Sequence, residues 1–342
     1  MKDYTFKDFI NKILTGMSVG IVVALIPGAL LGELAKAFNW TQVAELTNIA
    51  TRLLSVVMGL TIAMQFKLTP IQSGTLAITT AIGSGAFKFV DGTLVLGGIG
   101  DVINAGLIAG IAVAAMLLIG GRLKAYTILV VPALIITVIG SLGLFTLPYV
   151  SSLTGYIGQL VAQFTNFTPV VAGILISMTF ALMIVSPVST AGVAMAISLA
   201  GVGSGAANLG ICAAGFGLAV AGYKANGFGT SIAHFLGSPK MQMANLIKNP
   251  KIMLPILLNA AVTGAFAGIL CIQGTPASAG FGISGLIGPL NHLNIVGYTG
   301  GNLLITVIAF VAIPVVMSFV STYIFDNKLK IVSADDYKVD FK

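Results

Sequence analysis

The chain of 342 residues is 57% hydrophobic and only 8% charged, and its formal net charge at pH 7 is +7. In soluble domains about a quarter of the residues are charged. The low charge and the mean hydropathy of +1.03 therefore exclude a large soluble core. Residues 125–223 contain no Asp, Glu, Lys, Arg or His, so they must face lipid or one another. We predict an all-α polytopic membrane protein, because helices satisfy their own backbone in hydrocarbon. The basic residues are spread over short loops and both ends, which does not indicate a nucleic-acid partner.

Apolar runs and the breaks between them predict about ten transmembrane helices of roughly 20 residues each. A short interfacial helix in the first 12 residues, opened by a capping box of Thr5 and Asp8, leads into the first span. We expect a first transmembrane repeat at 1–147, an amphipathic connector at 148–168, a second repeat at 169–326 and a cytoplasmic tail at 327–342. The predicted spans are 13–34, 46–66, 70–87, 94–119, 126–147, 169–186, 188–203, 207–223, 252–272 and 301–325.

Two stretches share a pattern that indicates a duplicated unit. Residues 68–73 read Leu-Thr-Pro-Ile-Gln-Ser and lead to Gly-Ser-Gly-Ala at 83–86. Residues 185–190 read Val-Ser-Pro-Val-Ser-Thr and lead to the same four residues at 203–206. We therefore expect two related halves. The repeat is parallel if the short segments after the two prolines cross the membrane, and inverted if either is re-entrant.

Lysine and arginine side chains indicate the cytoplasmic side of the membrane. With the N-terminus inside and about ten spans, the basic residues fall on the inner side, as the positive-inside rule requires. Both termini are then cytoplasmic, and residues 224–251 form the longest basic loop. The residues that set this orientation are Lys67, Arg122, Lys124, Lys224, Lys240, Lys248, Lys251, Lys328 and Lys330.

Residues 273–300 do not resemble a lipid-facing helix. They are too polar and too rich in glycine to span, yet the part at 280–290 is too apolar for an open loop. Irregular backbone at membrane depth persists only where protein or a watery cavity satisfies its polar groups. We therefore predict a re-entrant hairpin near residues 278–292, packed within protein.

The sequence contains no phosphate-cradling loop, no cluster of metal ligands and no recognisable pair of nucleophile and base. We therefore expect no cofactor, no metal and no complete catalytic site. Polar side chains at membrane depth are costly and become the candidates for solute binding. The remaining candidates are grouped by their place in the chain.

Asp101 and Asn104 stand three residues apart at the start of a predicted span, which places both on one helical face. A carboxylate and an amide can together bind hydroxyl groups or a cation. The alternative is that Asp101 caps the helix N-terminus. Other candidates follow the two prolines, where freed carbonyl groups line many substrate sites. Asn208 follows the second Gly-Ser-Gly-Ala, and the rest lie around the predicted hairpin, where a lone histidine is usually a hydrogen-bonded structural residue. These other candidates are Gln72, Ser73, Thr75, Ser189, Thr190, Asn208, Ser284, Asn291 and His292.

Three short segments carry a resemblance to a known family. They read Gly-Asp-Val-Ile-Asn at 100–104, Lys-Asn-Pro-Lys at 248–251 and Gly-Ile-Ser-Gly-Leu-Ile-Gly-Pro at 282–289. The chain resembles the IIC-type membrane proteins of the phosphotransferase system, in the branch that includes the perfringolysin-regulator-like proteins. The resemblance implies a plasma-membrane homodimer that moves a sugar-like solute by shifting a transport unit against a dimerisation unit.

Two departures from that family modify the expectation. The glucose-type IIC proteins carry Gly-Ile-Thr-Glu, whose carboxylate holds sugar hydroxyls, where this chain has Gly-Ile-Ser-Gly at 282–285. Asp101 then becomes the candidate carboxylate. Transport in this system also needs a IIB domain that carries phosphate on Cys or His, and the polar ends of this chain are too short to contain one. A separate cytoplasmic IIB protein, working with IIA, is expected to dock on the 224–251 loop.

Two functions remain open from the sequence. The first is a IIC-type permease that translocates a sugar or sugar-like small solute by alternating access. The alternative is a membrane-embedded regulator or sensor, related to IIC permeases, that controls gene expression without transport. The many glycine and proline breaks favour a moving carrier.

Overall fold

The computed structural model describes residues 4–119 and 126–339. Arg122, Lys124 and the last three residues of the predicted tail lie outside the described residues. The described part is mostly helical, with one two-stranded hairpin. Several of its helices are long and apolar enough to cross a membrane. The predicted all-α polytopic membrane fold is therefore confirmed.

The chain forms two compact units. The first comprises the residues up to Gly28 together with Thr41–Leu153, and the second comprises Ala29–Trp40 together with the residues from Thr154 onward. The elements that begin in the first unit are α1 (Phe6–Ala37), α2 (Thr41–Arg52), α3 (Leu54–Gln65), α4 (Pro70–Gly83), β1 (Phe87–Val90), β2 (Thr93–Leu96), α5 (Val102–Ile119), α6 (Thr127–Leu134) and α7 (Gly140–Phe164).

Helix α1 begins where the sequence predicts a cap. The Thr5 hydroxyl accepts a hydrogen bond from the Asp8 amide at 3.2 Å. The helix then runs without interruption to Ala37. The amphipathic N-terminal residues are therefore continuous with the helix of the first span and form its first turns.

A β-hairpin occupies the start of the predicted span at 94–119. Strands β1 and β2 pair antiparallel, with Val90 opposite Thr93. The two residues between the strands are Asp91 and Gly92, and both have positive φ, 49° and 77°. Asp-Gly is a strong signal for a tight hairpin turn of this kind, so the helix of this span begins only at Val102.

The expected connector at 148–168 is also helical for most of its length. A π-helical turn at Ile135–Ile139 joins α6 to α7, and the continuous run Thr127–Phe164 is 38 residues long. The amphipathic residues of the connector therefore extend the preceding span instead of forming a separate element.

The second unit is built around helix α10, which is almost wholly buried. Helices α8 and α13 pack against it, and the three share one apolar core. The remaining elements cover that core. The helices are α8 (Pro169–Val185), α9 (Thr190–Ala196), α10 (Gly201–Ala221), α11 (Tyr223–Leu236), α12 (Met243–Lys248), α13 (Met253–Ile269), α14 (Ile287–Val296), α15 (Gly300–Val307) and α16 (Ile313–Thr322), and π-helical turns at Ile308–Ala312 and Tyr323–Lys328 flank α16.

Six helical runs in the described residues have the length and apolar character of a membrane span. They are Phe6–Gly28, Val102–Ile119, Thr127–Phe164, Gly201–Ala221, Pro250–Ile269 and Gly300–Lys328, and the pair α2 and α3, bent by 54°, adds a seventh if it counts as one span. Helix α8 is apolar but shorter, with 17 residues. The predicted spans at 70–87 and 188–203 contain helices α4 and α9, which have only 14 and 7 residues. At about 1.5 Å per residue neither reaches across a hydrocarbon core of about 30 Å.

The residues of the predicted cytoplasmic tail pack on the second unit. Tyr337 is 1% exposed, and its hydroxyl donates to the Ile252 carbonyl at 3.0 Å. The side-chain amides of Asn226 and Gln242 each donate to the Tyr337 carbonyl at 2.7 Å. The described part of the tail is therefore a strap held against the 224–251 region.

Candidate functional site

Asp101 caps helix α5. Its Oδ1 atom accepts a hydrogen bond from the Asn104 amide at 2.8 Å, which is the geometry of an N-cap. Its Oδ2 atom accepts a long bond of 3.4 Å from the exposed Ser151 hydroxyl, and the residue is half-buried. The geometry fits the capping interpretation, and it leaves one carboxylate oxygen facing outward.

Asn104 is fully buried and its hydrogen-bonding capacity is used within the first unit. Its Nδ2 atom donates to the carbonyl oxygens of Gly83 at 2.6 Å and Gly143 at 2.8 Å. Its Oδ1 atom accepts from the Thr146 hydroxyl at 2.8 Å. These bonds tie α5 to the end of α4 and to α7, so Asn104 acts here as a structural crosslink.

The candidates after the first proline are engaged locally at the start of α4. Thr69 and Gln72 form a reciprocal capping box, in which the Gln72 Oε1 atom accepts a hydrogen bond from the Thr69 amide at 3.0 Å. The Ser73 hydroxyl donates to the Leu68 carbonyl at 3.4 Å, and the Thr75 hydroxyl donates to the Ile71 carbonyl at 2.8 Å. In this state all three side chains stabilise the helix start.

The second proline break behaves differently, because its side chains contact a distant segment. Ser189 caps α9 by accepting from the Gly192 amide at 3.1 Å. Thr190 is buried and donates to the Gly280 carbonyl at 3.0 Å. The break is therefore joined directly to the segment in which the sequence predicts a hairpin.

That segment runs irregularly from the end of α13 to the start of α14 and is mostly buried in protein. Asn208 of α10 holds its centre, since the Asn208 Oδ1 atom accepts from the Gly282 amide at 3.0 Å. Asn208 is 0% exposed, and its Nδ2 atom has no hydrogen-bond partner among the residues that the structure describes. A buried amide donor without a partner is costly, so this atom is available for a ligand or a water.

Asn291 and His292 stand at the same segment, on α14. The Asn291 Oδ1 atom accepts from the Thr275 amide at 2.9 Å and from the Ser278 hydroxyl at 3.0 Å. The Nδ1 atom of His292 accepts from the Gln273 amide at 3.0 Å. With these acceptor atoms occupied, what each side chain can still offer a ligand is an N–H donor, Nδ2 of Asn291 and, in the neutral ring, Nε2 of His292.

Ser284 connects the segment to α11 and the turn that follows it. Its hydroxyl lies 3.2 Å from the Phe235 carbonyl and 3.0 Å from the Gly237 carbonyl. Gly285, which stands where the glucose-type proteins have Glu, has a φ of 59°. Left-handed backbone favours glycine, so this position is shaped for the turn and carries no side chain toward a solute.

Lys240 is the residue that sequence reasoning assigned only to membrane orientation. It is 6% exposed, and its Nζ atom lies 2.6 Å from the Ser186 carbonyl and 2.7 Å from the Val188 carbonyl, on either side of Pro187. Burial lowers the pKa of Lys240 to about 7, because desolvation disfavours the charged form. In the sequence, Pro187 indicated a break in the helix with unpaired carbonyl groups. Nothing in the spacing of the residues indicates that the Lys240 side chain reaches those carbonyl groups.

His234 is a second buried titratable group beside the docked tail. Its Nε2 atom lies 3.0 Å from Nε2 of Gln242, which also donates to the Tyr337 carbonyl. Burial lowers the pKa of His234 to about 4, so the ring is neutral at physiological pH. It therefore acts as a hydrogen-bonding residue of the tail contact.

The polar cluster of the second unit, defined as Thr190, Asn208, Ser284, Asn291 and His292, thus gathers around residues 273–288. The first-unit candidates, Asp101, Asn104, Gln72, Ser73 and Thr75, are placed at helix starts and helix contacts. Within the described residues, no three His, Cys, Asp or Glu side chains come together as a metal site.

Comparison with known proteins gives one result that covers the chain. Residues 11–339 match the family described as phosphotransferase system, EIIC. No curated protein and no solved structure matches the chain. Since the match extends over nearly every residue, the chain belongs to the EIIC family of the phosphotransferase system.

Proposed function

We propose that this EIIC protein is a permease that carries a sugar or sugar-like neutral solute across the plasma membrane by alternating access. Family membership supports a permease component of the phosphotransferase system in general. The observation that carries the finer proposal is the buried Asn208 amide nitrogen, which has no partner among the described residues, beside Asn291 and His292, whose acceptor atoms are already occupied by the same irregular segment.

The chemistry of this cluster favours a neutral, hydroxyl-rich solute. Amide and imidazole N–H groups donate to hydroxyl oxygens, and residues 154–325 contain no Asp or Glu to attract a cation. The backbone around the cluster is broken by Pro187 and by the turns at 280–286, as in carriers whose discontinuous helices form the solute site. Asp101, with one outward oxygen, is a second candidate position within the first unit.

The same arrangement supports a role for a separate cytoplasmic IIB partner. Lys240 links the proline break to the 224–251 region, where the basic side chains suit an acidic or phosphorylated partner. We propose that the partner docks on this region and supplies the phosphate, that both chain ends are cytoplasmic, and that the protein works as a homodimer.

The test is exchange of labelled sugars and sugar analogues by the protein in liposomes, using Asn291→Asp. This change keeps the oxygen that anchors Thr275 and Ser278 but removes the free Nδ2 donor. We expect exchange to weaken roughly tenfold, the value of one lost hydrogen bond to the solute together with the added charge. Asn294→Asp, one turn away and exposed on the same helix, is the matched control.

If the Asn291→Asp protein exchanged solute at the wild-type rate, the polar cluster would not be part of the solute site. If the wild-type protein exchanges none of the sugars while remaining folded, the permease proposal fails and the regulator that the sequence left open replaces it. Deletion followed by measurement of target-gene expression would then be the next experiment.

A further inference from the structure

The second unit contains a cavity of about 910 Å³ that the proposed solute site does not use. It lies among the end of α10, α11, α16 and the π-helical turn at Tyr323–Lys328. Its volume falls within the range of roughly 300–1,000 Å³ that is usual for ligand pockets. Most of its lining is apolar, with aromatic side chains from Phe216, Phe228, Phe235 and Phe319.

Two polar atoms interrupt this apolar lining. The hydroxyl oxygens of Ser231 and Thr322 are buried, and both residues line the cavity. Within the described part of the chain, neither oxygen has a hydrogen-bond partner. Helical Ser and Thr commonly bond to the carbonyl four residues earlier, as Thr306 does here. Ser231 is 4% exposed and lies four residues after Gly227, whose φ of 72° breaks the helix, so that local partner is lost. Two donors therefore face the cavity and need acceptors.

The cavity opens where a membrane span ends. The span Gly300–Lys328 finishes beside it, and Tyr223 and Tyr323, both more than half exposed, lie at its edge. Tyrosines in such positions are typical of the membrane–water interface. The charged residues that line the cavity are Lys224, which is exposed, and Asp326, which is half-buried. The cavity lining thus offers one positive and one negative group beside the end of this span.

We propose that this cavity binds one glycerophospholipid with an ethanolamine-type headgroup. The acyl chain fills the aromatic interior, and the ester carbonyl groups accept hydrogen bonds from Ser231 and Thr322. The phosphate contacts Lys224, and the primary ammonium group contacts Asp326. The site is distinct from the polar cluster at residues 273–288 and does not depend on which solute the protein carries.

The experiment is native mass spectrometry and thermal unfolding of delipidated full-length protein with added phosphatidylethanolamine, phosphatidylcholine or phosphatidylglycerol. We expect phosphatidylethanolamine to bind roughly tenfold more tightly than the other two, since only it offers a primary ammonium group for Asp326. Asp326→Asn should abolish this preference. Asp335→Asn, which removes an exposed carboxylate outside the cavity lining, should leave it unchanged.

Ser231→Ala gives a second readout that does not risk misfolding. Removing an unpartnered buried hydroxyl should leave the lipid-free protein at least as stable, while the rise in unfolding temperature caused by phosphatidylethanolamine becomes smaller. Equal binding of the three lipids, or a lipid effect unchanged by both Ser231→Ala and Asp326→Asn, would overturn the proposal.

Discussion

The Nζ atom of Lys240 lies 2.6 Å from the carbonyl oxygen of Ser186, and the Val188 carbonyl lies 2.7 Å from the same atom. Pro187 separates the two carbonyl groups, and the chain there has left α8 and not yet entered α9. A neutral amine has two N–H donors, which matches these two acceptors. A side chain from the 224–251 region therefore satisfies the carbonyl groups of a backbone break next to the polar cluster.

The first prediction concerns the pH dependence of this contact. The pKa of Lys240 is lowered to about 7 in the folded protein, whereas a lysine in the unfolded chain holds its proton to about pH 10.4. Between these values the unfolded state binds more protons, so stability rises with pH through this window and the contribution is absent below about pH 7. Thermal unfolding from pH 6.5 to 9.5 should show this rise in the wild type.

Lys240→Met should flatten that rise, because it removes the titrating group but keeps an apolar stem. Lys248→Met, at an exposed position, is the control and should keep the wild-type slope. Identical slopes for the wild type and Lys240→Met would show that Lys240 stays protonated in the folded protein.

The second prediction separates the two interpretations of Asp101. As a cap, Asp101→Asn should change the free energy of unfolding by only a few tenths of a kcal/mol, because Asn is an equally good N-cap, whereas Asp101→Ala should cost about 1 kcal/mol. If Asp101 acts only as a cap, solute exchange by Asp101→Asn should remain at the wild-type level. A transport loss in Asp101→Asn without loss of stability would place Asp101 at the solute site instead.

The third prediction concerns Asn104. Asn104→Leu keeps the volume but leaves the Gly83 and Gly143 carbonyls without their buried donor, which should cost about 2 kcal/mol or more. Thr146→Val removes the hydroxyl that donates to Asn104 Oδ1 and to the Gly143 carbonyl but leaves the Asn104 amide in place, and it should cost less, about 1 kcal/mol. Unfolding in a denaturing detergent measures both. Equal, small losses would mean that Asn104 does not hold α4, α5 and α7 together.

Local sequence chemistry predicted much of the fold. The apolar runs predicted the helical membrane fold, and Thr5 was recognisable as a helix start from Asp8 three residues later. The Asp-Gly turn at 91–92 was an equally readable signal that the apolar run around it concealed. Composition alone cannot separate a strand from the end of a span when both are apolar.

The site was less predictable, because its contacts join residues far apart in sequence. Polar side chains at membrane depth pointed to Asn208, Asn291 and His292 as candidates, but whether a side-chain atom is free depends on partners such as Gly282 or Gln273. The role of Lys240 depends on Ser186, 54 residues earlier. Such pairings follow from tertiary packing, which neither propensity nor periodicity encodes.

The last prediction concerns the crossing of α8 and α13 in the core of the second unit. A Cβ atom on Gly173 would lie 2.2 Å from the Gly264 carbonyl oxygen, and one on Gly264 would lie 2.4 Å from the Gly173 oxygen. Backbone atoms on a packed helix cannot yield by rotation, so the two helices must separate. Gly173→Ala should therefore reduce the free energy of unfolding by about 3 kcal/mol or more.

Gly110→Ala in α5 is the matched control for this change. A Cβ atom there meets nothing within 4 Å in the described residues, and alanine favours the helix by up to about 1 kcal/mol. The two variants carry the same chemical change with opposite expected signs in an unfolding titration. If Gly173→Ala is as stable as Gly110→Ala, then α8 and α13 do not require this close backbone contact, and the support they give to α10 and its Asn208 must come from the larger apolar side chains of the shared core.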